Sequence, residues 1–440
     1  MSLATLERLL IPILMSAAVG GCGSTKPPSD QIFLMPAPDL YAEGAIDPFA
    51  DDAPIQSEYQ PEVLFATDRL PSADKERYAF YGDGRDNVLH LGEARIEFSA
   101  DQPITWAEAR RISLLKSRTD KYPLQIAGIE EYGLLDRTVP PVRPAAERSE
   151  APGRRFAEAI NSRLQESAHK DVYIYVHGYK VEFENPILVA AELWHFLGHD
   201  GAVVAYSWPS TRKTLAYWSD LDDAINSARR LRALILHIAE NTDAERIHVV
   251  GYSAGTRLVA RAVADLGLYG YFLDDADLRQ RVKLGQVILV GSDIDRSILM
   301  GYLFDGGLRV PEALTVYESS GDDALGLSQR VFGRNRVGQV VAGELSRPGL
   351  REFFDQHPEV RIIDVSAAEA GTAGSGHAYF RESPWVSSDI LVTLLYDLPP
   401  AERGLVRKPG SPIWSFPGDY IGRLRRALLA QDPVVAGSAR

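Results

Sequence analysis

The chain has a single cysteine, Cys22, among 440 residues. No internal disulfide can form and no cluster of thiolates can hold a metal, so a disulfide scaffold and a cysteine-based zinc site are both excluded. Basic residues are also in short supply. Lys and Arg number 47 against 60 Asp and Glu, a formal net charge of −13. A nucleic-acid partner wants a basic stripe, and this balance argues against one. The apolar run at residues 9–21, LLIPILMSAAVGG, falls short of the roughly 20 residues that a membrane-spanning helix needs. Internal repeats and low-complexity blocks are missing too.

The short apolar run has a telling setting. Arg8 precedes it, its charge offset by Glu7, and it ends Val19-Gly20-Gly21-Cys22 before the polar GSTKPPSD. Small residues leading to a lone cysteine resemble a bacterial lipoprotein signal, in which cleavage before the cysteine leaves it lipidated. The resemblance implies a signal peptide over 1–21 and a lipid anchor at Cys22. With Gly23 next rather than Asp, it also implies the periplasmic face of the outer membrane. An ordinary secretory signal that happens to contain a cysteine is the alternative.

Residues 22–58, rich in Pro, Asp, Ala and Ser, show no sustained period and are expected to form a tether or an irregular wrap. The pattern changes at Glu62. EVLFATDR (62–69), VLHLGEARIEF (88–98) and, more weakly, YPLQIAGIEEYGLL (122–135) predict strands, giving a β-rich extension over 59–150. From there to about residue 400 the chain alternates. Strands VYIYV, AVVAYSW, IHVVG, VILVG, LTVYES and RIIDV are interleaved with helical patterns such as 186–198 and 220–240. Such alternation predicts an α/β domain over 151–400, a mostly parallel sheet with helices on both faces. PGDYIGRLRRALLAQ (417–431) predicts a final amphipathic helix within a C-terminal segment, 401–440.

Within RIHVVGYSAGTRLVARAVADL (246–266) a strand turns directly into a helix at Ser253. Gly-x-Ser-x-Gly alone is a weak signal, but this strand–turn–helix setting is what a nucleophile elbow requires. Gly251, Ala254 and Gly255 keep the strand and helix from colliding. The Ala254 amide, at a helix N-terminus, is placed to receive an oxyanion. Otherwise Ser253 is an exposed serine in a tight turn.

A serine hydroxyl needs a base, and in this architecture the base follows the serine and the acid in chain order. Only His357 and His377 come after Ser253. His357 precedes the strand RIIDV and belongs at the wrong end of the sheet. His377 follows that strand in the loop EAGTAGSGHAYF, at the carboxyl end where sites on parallel sheets form. The acid is sought on a loop between the two. Asp322 in SSGDDAL is preferred, Asp323 is its nearest rival and Asp293, beside Asp295 after VILVG, stands behind them. Either aspartate of SSGDDAL could instead be a helix cap. A second oxyanion amide is expected from Tyr179 in VYIYVHGYK, where Gly178 permits close approach and His177 holds the loop. Trp208, Tyr217 and Trp218 are candidates to line an apolar pocket, with core packing the expected role of at least one of them, and the stretch between Asp293 and Pro311, with Met300, Tyr302, Leu303 and Phe304, is either a lid over a lipid-like acyl group or an ordinary packed helix.

HGY after a strand, the SWPS turn with Tyr217 and Asp220 behind it, GYSAGTRL, GSDID, SSGDDAL and GHAYF follow one another over about residues 60–390. In that order they resemble an uncharacterised family of bacterial alpha/beta hydrolases. The family's HGY is often followed by Asn, whereas Lys180 stands here. The resemblance implies a triad of Ser253, an Asp in SSGDDAL, and His377. The expectation is a serine hydrolase acting on a small or lipid-like ester or thioester, without metal or organic cofactor and without nucleic acid, held to the membrane through Cys22. The rival expectation is a lipid-anchored envelope protein that keeps the fold and binds without chemistry.

Overall fold

Runs of β-branched and aromatic residues bounded by helical segments favour strands buried on both faces. In the computed structural model such runs join into one sheet. The structure describes residues 31–431 apart from 43–45, 50–58, 76–78, 99–103, 116–120, 145–146, 212–216, 320–347 and 369–378. The side chains of 217–221, 348, 350 and 431 lie outside the description as well. The expected signal peptide and Cys22 also fall outside it.

The strands are β1 (Glu62–Pro71), β2 (Tyr81–Glu97), β3 (Gln125–Leu134), β4 (Asp171–Val176), β5 (Ala202–Ser207) and β6 (Arg246–Tyr252). They continue as β7 (Leu284–Val290), β8 (Ala313–Glu318), β9 (Val360–Asp364), β10 (Val406–Arg407) and β11 (Ile413–Ser415). Their order across the sheet is β10-β11-β9-β8-β7-β6-β4-β5-β1-β2-β3. Pairing is parallel from β11 through to β1, and antiparallel at both margins, in β1-β2-β3 and in β10-β11.

Side chains alternate between two apolar layers. Val172, Ile174 and Val176 face α2 (Ala151–Glu166), α4 (Tyr217–Asn241), α5 (Gly255–Tyr269), α6 (Asp275–Val282) and α7 (Arg296–Phe304). Tyr173 and Tyr175 face the other layer. It holds α1 (Trp106–Ser113), α3 (Glu184–Phe196), the short α9 (Tyr379–Glu382), α10 (Pro384–Tyr396) and α11 (Tyr420–Gln431). The helix before β9, α8, spans Pro348–Gln356.

Three features at the margins of the fold are decided by long-range contacts. Of the tether or irregular wrap expected over 22–58, the described part is a wrap. Leu34, Leu40, Tyr41 and Phe49 are buried in the second layer, and the Leu34 amide donates to Tyr122 O at 2.8 Å. Its apolar residues follow the surface they cover rather than any helical or strand period, which is why no period showed. The β-rich extension does not stand apart: β1 pairs in parallel with β5, placing Thr67 opposite Ser207 at the carboxyl end of the sheet. The C-terminal segment likewise adds β10 and β11 to the sheet. It is fastened by buried Asp389, which accepts from Arg403 Nε at 2.8 Å and from Tyr420 Oη at 2.7 Å.

Candidate active site

The turn from β6 into α5 places Ser253 at φ 51°, in the left-handed region. A side chain there costs roughly 1–2 kcal/mol, so the surroundings must hold it. They do so on both sides of the residue. The Ser253 amide donates to Val290 O on β7 at 2.9 Å, and its carbonyl accepts from Thr256 N at 3.1 Å and Thr256 Oγ1 at 2.6 Å. Ser253 itself stays half-buried rather than sealed in. Ala254, next in the chain, caps α5, and its amide donates no hydrogen bond among the described residues. An unspent amide at a helix N-terminus is what an oxyanion needs.

The HGYK loop after β4 lies directly against this turn. A Cβ on Gly178 would sit 2.8 Å from Ser253 Cβ, and one on Gly255 would sit 2.2 Å from His177 O. Both positions therefore demand glycine, and together they bring the Tyr179 loop and the serine turn into contact. His177 is buried and stacks on Trp208 at 5.1 Å with 7° between the rings. Its ring nitrogens face Gly178 O at 2.7 Å and Trp208 O at 3.1 Å, while Trp208 Nε1 donates to His177 O at 2.7 Å. Burial first, and the Arg69 charge second, hold the imidazole well below its usual range, so the ring is neutral. A neutral ring has one N–H and donates to one of the two carbonyls. His177 is thus a loop-holder, as expected. Trp208 takes the core-packing role of the two expected, fully buried against His177. Tyr217 and Trp218 have side chains outside the described residues.

The candidate acids and base divide. Asp322, Asp323 and His377 lie outside the described residues, so no distance joins them to Ser253. Asp293 is described and buried after β7. Arg257 Nη2 on α5 donates to its carbonyl at 2.6 Å and to its Oδ2 at 3.2 Å, giving that aspartate a structural task. Asp295 caps α7, accepting from Ser297 N at 2.9 Å. For the stretch between Asp293 and Pro311 the packing favours the ordinary helix of the two readings. Leu299 and Leu303 of α7 are packed into the first apolar layer beside α5, the ordinary reading of an amphipathic segment. His357 precedes β9, at the far end, and pairs with Glu359 at 2.9 Å.

Three described residues that were not singled out in the sequence bear on the site. Tyr379, two residues past His377, inserts its hydroxyl between strand ends. It accepts from Gly291 N at 2.6 Å and donates to Tyr317 O at 2.9 Å. Glu318 ends β8. Register makes Tyr252, Val290 and Tyr317 neighbours, so the next residues, Ser253, Gly291 and Glu318, lie level across the sheet. Glu318 is 2% exposed, its Oε1 has no hydrogen-bond partner among the described residues, and burial pushes its carboxyl up to about 8. Asp364 opposite adds to that rise and Arg296 opposes it. The only advance signal was a charge closing the apolar run LTVYES. The third is Arg69, at the end of β1, described below.

Among the described residues no group of His, Cys, Asp and Glu is arranged to hold a metal, and no helix is long and apolar enough to cross a membrane. Over residues 154–394 the chain matches the model of a family described as alpha/beta hydrolase of unknown function (DUF900), and it belongs to that family. The match excludes β1, β2 and β3. Among solved structures the chain is similar to a C6-C4 SN3 inhibited esterase B from Lactobacillus rhamnosis. There the identity is 13%, with 54% of this chain and 81% of that one covered, and the TM-score is 0.28. It is similar also to Thermogutta terrifontis esterase 2 phosphoramylated by tabun, at 13% identity over 51% of this chain and 80% of that one, with a TM-score of 0.29. No curated protein matches the chain.

Proposed function

From its membership of this alpha/beta-hydrolase family, we propose that the protein is a serine hydrolase cleaving a carboxylic ester or thioester through an acyl-enzyme on Ser253. The observation that carries this reading is Ser253 itself, held at φ 51° on a strand-to-helix turn with Gly178 packed against it. Backbone strain held by its surroundings clusters at functional sites. In the proposed reaction His377 takes the proton as Ser253 Oγ attacks the carbonyl carbon. Asp322 orients the imidazole and stabilises its charged form. The amides of Ala254 and Tyr179 receive the oxyanion. Collapse expels the alcohol or thiol, which takes its proton from His377. Water, deprotonated by the same ring, then releases the acid and restores Ser253. The scheme calls for no metal or organic cofactor.

Commitment of Asp293 to Arg257 favours an acid from SSGDDAL. The mature chain is proposed to begin at a lipidated Cys22 on the periplasmic face of the outer membrane. Labelled palmitate should enter the wild type and not Cys22→Ala; equal labelling of both removes the anchor.

A fluorophosphonate probe tests the chemistry. It should label the wild type, fail on Ser253→Ala and react far more slowly with His377→Ala. Folded wild-type protein that stays unlabelled overturns the reading. Turnover of an ester by Asp322→Asn and Asp323→Asn decides the acid, and loss in the second alone moves the assignment to Asp323.

A further inference from the structure

The family match begins at residue 154, yet a side chain from β1 reaches the loops around Ser253. Arg69 is 1% exposed and lies two residues past Thr67, which pairs with Ser207 at the carboxyl end of β5. Its guanidinium spans the loop after β4, which lies against the serine turn, and the turn after β5 beyond it. Nε donates to Ser207 Oγ at 3.0 Å, Nη1 to Gly82 O at 3.2 Å and Ser210 O at 3.4 Å, and Nη2 to Val181 O at 2.7 Å. Val181 is held twice more, since Ser210 Oγ donates to its carbonyl at 2.9 Å and accepts from its amide at 3.2 Å.

Val181 stands two residues after Tyr179, and the residue between them, Lys180, is at φ 61°. A lysine in the left-handed region does not stay there unaided. The residues after it must be fixed for the Gly178–Tyr179 peptide upstream, which carries the Tyr179 amide, to keep its direction. An oxyanion donor tolerates little drift, because its value depends on lying about 2.7–3.1 Å from an oxygen that forms only during reaction. Arginine suits this task better than lysine, because its planar fork fixes several carbonyls at once.

We propose that Arg69 is the positioning residue of the oxyanion loop: it clamps Val181 against the Ser207–Ser210 turn and so aims the Tyr179 amide at the carbonyl under attack by Ser253. The inference rests on the serine-hydrolase reading. It makes the β1–β3 extension a working part of the site rather than an accessory. The guanidinium donates to Ser207, Gly82, Ser210 and Val181, so it acts on the reaction through the loop it holds.

The test compares wild type, Arg69→Lys, Arg69→Met and Ser210→Ala, each with its reactive sites counted by fluorophosphonate titration. For Arg69→Met, turnover per titrated site should fall about 100-fold, the scale of losing one oxyanion donor, with KM changed by less than about threefold. Affinity for a trifluoromethyl ketone, which forms a tetrahedral adduct on serine, should fall by a similar factor. Arg69→Lys should recover less than about a tenth of the loss, since it keeps the charge and not the fork. Ser210→Ala, a smaller change that leaves Arg69 in place, should shift the same two quantities in the same direction by about tenfold, and it decides the matter if the Arg69 variants do not fold. Variants with fewer titrated sites but wild-type turnover per site and wild-type ketone affinity overturn the inference and leave the serine-hydrolase reading standing. A folded wild type that neither labels nor turns over ester overturns both.

Discussion

The Gly291 amide donates to the Tyr379 hydroxyl at 2.6 Å, so the residue two past His377 is pinned beside the strand end that holds Ser253. Gly291 follows Val290, whose carbonyl receives the Ser253 amide at 2.9 Å. In sequence Tyr379 closes the loop that carries His377. Tyr379→Phe removes an acceptor from Gly291 N and a donor from Tyr317 O in a buried place. Gly291 N retains Tyr317 O at 3.3 Å, so the loss is partial. The expected cost is about 1–2 kcal/mol in urea unfolding. Under the proposed triad, turnover falls about tenfold with KM little changed, because the base loop loses its footing. Unfolding data that match wild type, or a change confined to KM, would refute this anchoring.

The alternating α/β body was legible because its signals are local. Apolar strand runs and amphipathic helices sit within a few residues of their own boundaries, and observed β6, at Arg246–Tyr252, frames the predicted IHVVG. The serine turn was legible for the same reason, since glycine, serine and alanine there answer a local backbone demand. What escaped depended on distant partners. Arg69 reads as a charge ending a strand until its acceptors at Val181 and Ser210 are known. The stretch 22–58 was legible only as a tether or a wrap, because residues such as Tyr41 and Phe49 are buried against helices far along the chain and follow no period of their own. Position after β5 left Trp208 open to a pocket or a core role, and stacking on His177 decides for the core.

Lys180 at φ 61° offers a test of stored strain. Asn tolerates the left-handed region better than other side chains with a Cβ, through local hydrogen bonding. Lys180 is exposed, so its replacement removes little packing. Lys180→Asn should therefore stabilise the protein by about 0.5–1 kcal/mol, read as a rise in the urea midpoint at unchanged slope. Activity should be kept, since the backbone direction that matters at Tyr179 is the same. A lowered midpoint would mean that Lys180 contributes a bond outweighing its strain.

Glu318 sets the pH dependence of stability near the site. In the folded protein burial pushes its carboxyl from the ordinary 4.5 up to about 8, and its Oε1 has no partner among the described residues. Below pH 4.5 both folded and unfolded forms hold the proton and the group exerts no pull. As pH rises from 4.5 towards 8 the unfolded chain ionises while the folded one stays protonated, so folding loses ground through that window. Each unit of difference is worth about 1.4 kcal/mol, and local relaxation returns part of it. Glu318→Gln keeps the shape without the proton and should be more stable than wild type by about 2–3 kcal/mol at pH 8, and nearly equal to it at pH 4.5. Urea unfolding at these two values checks the sign. A variant that gains equally at both has lost a packing conflict rather than a buried charge, and a variant less stable at pH 8 shows that the carboxylate is held by a favourable partner.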